Sequence, residues 1–527
     1  MRRIEVYDTT LRDGAQTEGI TFSLKDKLRL TERLNSMGFD YIEGGYPASN
    51  DKDEQYFRDM STTRLDYSVV CAFGMTRRKG IRPEEDSGLA ALLASKAKIL
   101  TIVGKSSAFQ ATGVLQVSLG ENLAMIEETI AWLCSQGRRV FFDAEHFFDG
   151  WKCNPDYSLE VLRCAIKGGA DSVHLCDTNG GSMPEEIVAG VKAALSVVDV
   201  PVGIHTHNDC GLALANTLAA VDAGASIVQG TINGFGERCG NTDLIALAAN
   251  LLLKKNGAYG LLLPESLSRL TEFSRYVYEL LNLVPSGRQP FVGKSAFAHK
   301  GGLHVSGIHR DTKAYEHVNP DLVGNERRVL VSELSGRSNI LARTAKFHIE
   351  NDTKLVSAIL EAVVQKESQG YQYEAAEGSF DLLVRKTAGL YHPFFERLSY
   401  QTTVAANTQG VFETLATVKL RIGDCVRHEV AEGDGPVDAL NAALRKALYP
   451  LYPQLEAMSL VDYKVRVLNT EAATAAATRV IIESKDEDEV WGTVGVSENV
   501  IEASWIALCD SIEYKLAKSE SNNIVNK

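Results

Sequence analysis

Residues 202–209 read VGIHTHND, and the way this run folds decides the reading of the whole chain. Its apolar, β-branched start predicts a buried strand. On a strand, His205 and His207, two positions apart, point to the same side. Seven further runs of the same kind fall between residues 4 and 234: IEVYD (4–8), YIEGG (41–45), YSVVCAF (67–73), ILTIVG (99–104), VFFDAE (140–145), SVHLCD (172–177) and SIVQGTING (226–234). Amphipathic stretches such as LKDKLRLTERLNSMGF and ENLAMIEETIAWLCSQG separate them, the second stopping at Gly137. Eight β-then-α units in about 280 residues predict an α/β fold, a (β/α)8 TIM barrel. A doubly wound open sheet is the alternative. No G-x-G-x-x-G follows the first run, which counts against a dinucleotide-binding sheet.

Polar residues gather where a barrel enzyme uses them, at the carboxyl ends of the strands. Asp8, Arg12 and Asp13 follow the first, and Glu43 ends the second. Asp143 and Glu145 end the fifth, Asp177 and Thr178 follow the sixth, and His205 and His207 end the seventh. Asn233, Glu237, Arg238 and Asn241 follow the eighth.

The barrel is expected over residues 1–284. Residues 285–376 contain Gly, His and Pro in an irregular connector and then a helical pattern near 339–369, read as linker subdomains. Residues 377–515 carry two similar blocks. ATVKLRIGD, CVRHEVAEGDG and PVDALNAALRKALYPLY predict strand, strand, helix. VDYKVRVLNT, TRVIIESKDE and EVWGTVGVSENVIEASWIALCDSIEYKLAK predict three strands and a helix. This internal repeat predicts an α+β module with a ligand at the repeat interface. KDEDE (485–489) reads as a solvated hairpin tip, and residues 516–527, ending SESNNIVNK, as a disordered tail.

The chain has 527 residues, 45% apolar and 23% charged, with a formal net charge of −13. That acidity argues against nucleic acid as a partner. No apolar run approaches the ~18 residues of a membrane span. The N-terminus enters a strand with no signal-peptide pattern. The nine cysteines are scattered without a C-x-x-C pair, the usage of reduced thiols in a cytoplasmic protein.

A His pair at a strand end facing a barrel mouth is a candidate for one cation. No cysteine is placed to join it, so oxygen donors complete the set, with Asp13 and Asn241 the best candidates. Two imidazoles, a carboxylate and an amide oxygen suit Mn²⁺, Mg²⁺, Co²⁺ or Zn²⁺. Hydrolases of the amidohydrolase type also use H-x-H in a barrel, but on the first strand. Here the pair is on the seventh and the first contributes Arg12 and Asp13.

Two longer motifs carry a resemblance. LRDGAQ (11–16), followed after ten residues by Lys27, and GIHTHNDCGLA (203–213) resemble the paired signatures of the 2-isopropylmalate, homocitrate and citramalate synthases. These are DRE-TIM metallolyases, whose Asp, Arg and Glu match Asp13, Arg12 and Glu43. The likeness continues through GERCGN (236–241) and AFAHKGGLH (296–304) into the C-terminal module. GGYPASNDKDEQYF (44–57), FDAEHFFDGWK (142–152), LCDTNGG (175–181) and QGTINGFGERCGN (229–241) are similar to the citramalate branch.

The resemblance implies a Claisen-type condensation of acetyl-CoA with an α-keto acid, pyruvate in the citramalate branch, followed by thioester hydrolysis. It implies a cation polarising the keto acid, Arg12 stabilising an oxyanion, and Thr178 donating to the keto-acid carboxylate. Glu43 orients Arg12. The base is Glu145, taken first, or the His304–Tyr315 set, which in relatives reaches the neighbouring subunit's site and so implies a catalytic homodimer. Arg12, Asp13, Asp143 and Thr178 are the expected substrate-binding residues; Asp143 stands where some relatives hold pyruvate with a tyrosine, so the tyrosine's role does not carry over to it. Arg77, Arg78, Lys79 and Arg82 are either CoA-phosphate contacts or a solvated loop. The C-terminal module is expected to bind isoleucine as an allosteric end product. Sister activities with 2-oxoisovalerate or 2-oxoglutarate, and a non-catalytic amino-acid-sensing barrel, are the competing expectations.

Overall fold

The computed structural model describes residues 1–330, 352–373, 375–406, 412–468 and 476–525. The chain divides into two compact units: residues 1–297 with 318–326, and residues 298–317 with 327–527. Among the described residues no helix is long and apolar enough to cross a membrane.

The first unit is built on eight parallel strands. They are β1 (Glu5–Asp8), β2 (Tyr41–Gly45), β3 (Val69–Met75), β4 (Ile99–Lys105), β5 (Arg139–Glu145), β6 (Ser172–Asp177), β7 (Val202–Thr206) and β8 (Ile227–Gly230). They pair in chain order, and β8 pairs with β1, closing a barrel. All eight runs expected from the sequence are these strands, and the open-sheet alternative is excluded by the closure.

The two-residue period of a strand sorts the interior into layers. Tyr7, Tyr41, Cys71, Ile99, Phe141 and Ile227 form a buried apolar floor. Two residues further along β2, β4, β5 and β8 come Glu43, Thr101, Asp143 and Gln229, each at most 3% exposed. Two further still, Val103 on β4 and Glu145 on β5 reach the mouth, and one more step brings Lys105. The alternate positions, among them Ile42, Leu100, Phe142, Val173 and Ile204, face outward and pack on the surrounding helices. Helix Leu24–Met37 shows how these are bounded: Ser23 and Asp26 form a capping box, and Gly38, in left-handed conformation, ends it. Its Lys27 is buried. The ammonium donates to the Gly44 carbonyl (2.9 Å) and pairs with Asp53, whose other oxygen accepts from the Tyr46 amide (3.1 Å). The loop after β2 is pinned by this pair.

The second unit holds two antiparallel three-stranded sheets. The first is β9 (Glu396–Ala406), β10 (Phe412–Ile422) and β11 (Cys425–Glu432); the second is β12 (Ser459–Val467), β13 (Thr478–Lys485) and β14 (Val490–Ser497). Helices Pro436–Leu448 and Val500–Val525 follow them. Each half is therefore three strands and a helix. The sequence reading lacked β9, because ERLSYQTTVAA is largely exposed and carries few apolar residues. The helix expected over 339–369 is seen as Thr353–Ser368, and residues 339–351 lie outside the described residues, as do 469–470 at the end of VDYKVRVLNT.

Two expectations fail here. The last helix runs on to Val525 in place of a disordered tail from 516, since Leu516 and Ala517 continue its buried face. The hairpin tip is not simply solvated. The Asp486 carboxylate is buried between Lys515 (2.6 Å) and Lys518 (3.1 Å), which hold it well below the usual carboxylate range against the effect of burial.

Candidate active site

The turn after β1 places the first functional groups. Asp8 accepts from the Thr10 amide and hydroxyl, and burial pushes its carboxyl up to about 7 against those bonds. Asp8 therefore shapes the turn and does not face the cavity. Arg12 and Asp13 emerge from the turn into the mouth. Arg12 pairs through Nε with Glu43 of β2, whose side chain is 0% exposed, and its guanidinium lies 4.0 Å from the centre of the Phe73 ring. Burial disfavours the charge on Arg12, but Glu43 and Asp13 outweigh it and raise its pKa further above its ordinary value.

His205 and His207 do face one point. Asp13 Oδ2 is 3.3 Å from His205 Nε2 and 4.0 Å from His207 Nε2, and the two Nε2 atoms are 3.3 Å apart. Potential ligand atoms of the three residues lie within 4.8 Å of one another. Asn241 is brought beside His207 by a backbone bridge. Its Nδ2 donates to the Phe235 carbonyl (3.1 Å), while its Oδ1 is buried with no hydrogen-bond partner. A buried amide oxygen left without a donor is costly unless something else meets it. Two imidazoles, one carboxylate and this oxygen are a donor set that fits a divalent cation. Gly236 makes room for it: a Cβ there would lie 2.1 Å from Asn241 Nδ2.

Burial would raise the Asp13 carboxyl, yet Arg12, His205 and His207 hold it well below the usual range. Burial and the neighbouring His205 push His207 down to about 4, so it is neutral and able to ligate. Burial opposes the charged form of His205, but Asp13 outweighs it and raises its pKa.

The tautomer of His205 is set from below. Gln229 Nε2 donates to Asp143 Oδ1 (3.0 Å), which turns Gln229 Oε1 toward His205 Nδ1 (2.9 Å). An acceptor at Nδ1 places the proton there and leaves the Nε2 lone pair facing Asp13. Asp143 also meets His174 Nδ1 (2.7 Å), and His174 Nε2 lies 3.0 Å from Ser172 Oγ. Burial would raise Asp143, but His174 holds it below the ordinary carboxylate range. Asp143 was read from sequence as a substrate-site residue. It lines the cavity, but its hydrogen bonds run to His174 and Gln229.

Arg12, Asp13, Phe73, Val103, Lys105, Glu145, Cys176, Thr178, His205 and His207 surround one cavity of about 320 Å³. Thr178 Oγ1 accepts from the His146 amide (2.8 Å), so its own hydrogen is free for a ligand. His146 has φ 58°, a left-handed conformation unusual for a non-glycine, immediately after Glu145. Glu145 pairs with Lys105 of the neighbouring strand. Arg238 pairs with Asp209 (2.8 Å) and donates to the Thr178 carbonyl (2.7 Å).

His304 and Tyr315 belong to the second unit, where their rings stack with centres 4.1 Å apart. Asp177 bonds Ser182, and Asn233 bonds Ser274 and Gln289, so both are structural. Arg77 is buried between Glu121 and Glu128, and Arg82 pairs with Glu84 and Glu85. Sequence reading missed Lys105, Gln229 and His174. The two-residue period continued one step past each strand run would have pointed to the first.

Three family models match. HMGL-like covers residues 3–277, the homocitrate synthase post-HMGL domain-like model residues 291–370, and the LeuA allosteric (dimerisation) domain residues 374–516. The chain is 47% identical to an (R)-citramalate synthase of Geobacter sulfurreducens, covering 99% of each chain. It is 48% identical to one of Synechocystis, covering 97% of this chain and 96% of the relative. A 2-isopropylmalate synthase of Methanocaldococcus jannaschii is 29% identical over 98% of this chain and 96% of its own. The closed barrel, its cation-type donor set and these full-length matches agree: the chain belongs to the HMGL-like family, on its (R)-citramalate synthase branch.

Proposed function

We propose that the chain condenses acetyl-CoA with pyruvate and hydrolyses the thioester to give (R)-citramalate and CoA. The observation that carries this reading is one cavity lined by Asp13, His205, His207, Arg12, Thr178 and Glu145. Asp13, His205, His207 and Asn241 would hold a divalent cation, Mn²⁺, Mg²⁺, Co²⁺ or Zn²⁺, which supplies Lewis-acid polarisation of a keto carbonyl. Thr178 donates its free hydroxyl hydrogen to the keto-acid carboxylate. Arg12, held by Glu43 and flattened on Phe73, presents a fixed positive charge where the alkoxide develops. Glu145 removes the thioester methyl proton, with His304 and Tyr315 as the acid that returns one. Phe73, Val103 and Cys176 bound the cavity on its apolar side, which suits a methyl group.

Thiol release from acetyl-CoA across a panel of keto acids tests the assignment. Pyruvate is expected to be preferred; preference for 2-oxoisovalerate, or no release with any keto acid, defeats it.

Cation affinity is expected to fall as pH falls. His205 must lose its proton to ligate, and its pKa is raised by Asp13. Below that titration each lost pH unit costs about tenfold in affinity, because one proton is released per cation bound. Calorimetric titration of Mn²⁺ into chelator-treated protein across the neutral range checks this; a flat profile contradicts it.

The working form is a homodimer. On β12, an edge strand of its sheet, Val461, Tyr463, Val465 and Val467 are exposed, a stripe suited to self-association. The His304–Tyr315 pair then serves the partner's barrel, and isoleucine is the effector of the C-terminal unit.

A further inference from the structure

The geometry points to Lys105 as a further catalytic residue, whose ammonium passes from Glu145 to the enolate oxygen of the acetyl thioester. This rests on the condensation reading above.

Lys105 and Glu145 are register partners on adjacent parallel strands, so their side chains leave the sheet on the same side. The pair is held from behind. Ser106 donates its amide (3.0 Å) and its hydroxyl (2.7 Å) to the Glu145 carbonyl, and Asn122 Nδ2 donates to the Lys105 carbonyl (2.8 Å). The side chains are only 15% and 25% exposed and form an ion pair.

Their position is what separates them from the rest of the site. A second cavity, of about 400 Å³, is lined by Ala48, Gly88, Leu115, Val117 and Met125. Lys105 and Glu145 line both cavities, together with Tyr46, Met75 and Val103. Arg12, Thr178, Asp13, His205 and His207 line only the first. A keto acid held by those groups occupies the first cavity. A thioester approaching from the second meets it at the Lys105–Glu145 pair. Arg12 is already engaged by Glu43 and Phe73 on the keto-acid side, which leaves the thioester oxygen needing another positive charge.

The charge count favours Lys105 for it. When the methyl C–H bond breaks, Glu145 takes the proton and becomes neutral. The electron pair moves into the carbon–carbon bond, and the negative charge appears on the thioester oxygen. At that moment the ammonium loses its counter-ion and an oxyanion gains one unit of charge beside it. Transfer of the ion pair from carboxylate to enolate keeps the ammonium paired while the carboxylate is neutralised. Collapse of the enolate re-forms the thioester carbonyl and puts its carbon–carbon π pair into the new bond to the keto carbon. The keto C=O pair moves onto the keto oxygen, an alkoxide beside Arg12 that then takes a proton from the acid. Glu145 gives up its own proton to water, and Lys105 regains its counter-ion.

The test uses the full-length protein with saturating Mn²⁺, comparing Lys105→Met and Lys105→Arg. The methionine variant is expected to lose about a hundredfold in kcat, the scale of one oxyanion donor, with KM for pyruvate little changed. It should also slow deuterium uptake from solvent into the acetyl-CoA methyl. Arginine, which keeps the charge, is expected to recover most of kcat. Methionine at wild-type kcat, or arginine as impaired as methionine, overturns the inference, as does a loss that follows lost Mn²⁺ binding. Should the methionine variant not fold, Lys105→Gln gives the same reading. Wild-type protein silent on every keto acid defeats the condensation reading; active wild type with an unaffected methionine variant defeats this inference alone.

Discussion

Replacing Arg12 by leucine is expected to damage both the fold and the reaction. Glu43 is fully buried, and its partners are Arg12 and the Tyr7 hydroxyl (3.0 Å). Leucine leaves a buried carboxylate without its counter-charge, which costs about 3–5 kcal/mol. The loss has a sign in pH. Burial already raises the Glu43 carboxyl above its ordinary value despite Arg12. Without Arg12 it rises further, so the variant should lose more stability than the wild type as pH rises through the carboxylate range and regain it in acid. Arg12→Leu with Glu43→Gln should restore much of the stability while kcat/KM stays down by about 10²–10³. Denaturant melts at two pH values and steady-state kinetics check both halves. A double variant recovering activity would show that Arg12 only balances Glu43.

Glu145→Gln is the second large effect. In the proposed role of base, Glu145 is expected to account for a factor of about 10²–10⁴ in kcat. Glutamine keeps the shape and can still bond Lys105, and the partly exposed ammonium can be hydrated, so stability should change by less than about 1 kcal/mol. Cation binding should be untouched, since Glu145 is not among the grouped ligands. The comparison that decides is His304→Ala. If it abolishes methyl-proton exchange while Glu145→Gln leaves exchange intact, the roles are reversed.

The barrel was legible because each strand is an apolar run bounded by polar residues, and its interior is filled by those same runs. His205 and His207 were legible for a related reason: their two-residue spacing points both to one side. Asp13, in the turn after β1, was read from its place at a strand's carboxyl end. The roles of Asp143 and Gln229 were not. Each sits inside or beside an apolar run, and only the closed barrel brings Asp143, His174 and Gln229, from β5, β6 and β8, to one layer. Lys105 was hidden in another way. It lies one residue past ILTIVG, and its meaning depends on the register that sets it opposite Glu145. The strand β9 and the extension of the last helix beyond residue 515 went unread because both stretches carry mostly polar residues, and their few buried positions depend on contacts distant in sequence.

The closure of β8 onto β1 has a consequence for how the protein holds together. Asp13 follows the first barrel strand and Asn241 follows the last, and the backbones of those strands are hydrogen-bonded from Glu5–Ile227 to Asp8–Gly230. Asp13 and Asn241 would hold an ion across the seam where a linear chain becomes a ring, and it would act there as a clasp. Occupancy adds stability that grows with the free ion, about 2.7 kcal/mol at a hundredfold excess over Kd. In a cell short of the ion, the ring would loosen at this seam, tying the lifetime of the folded protein to the supply of the metal its chemistry uses.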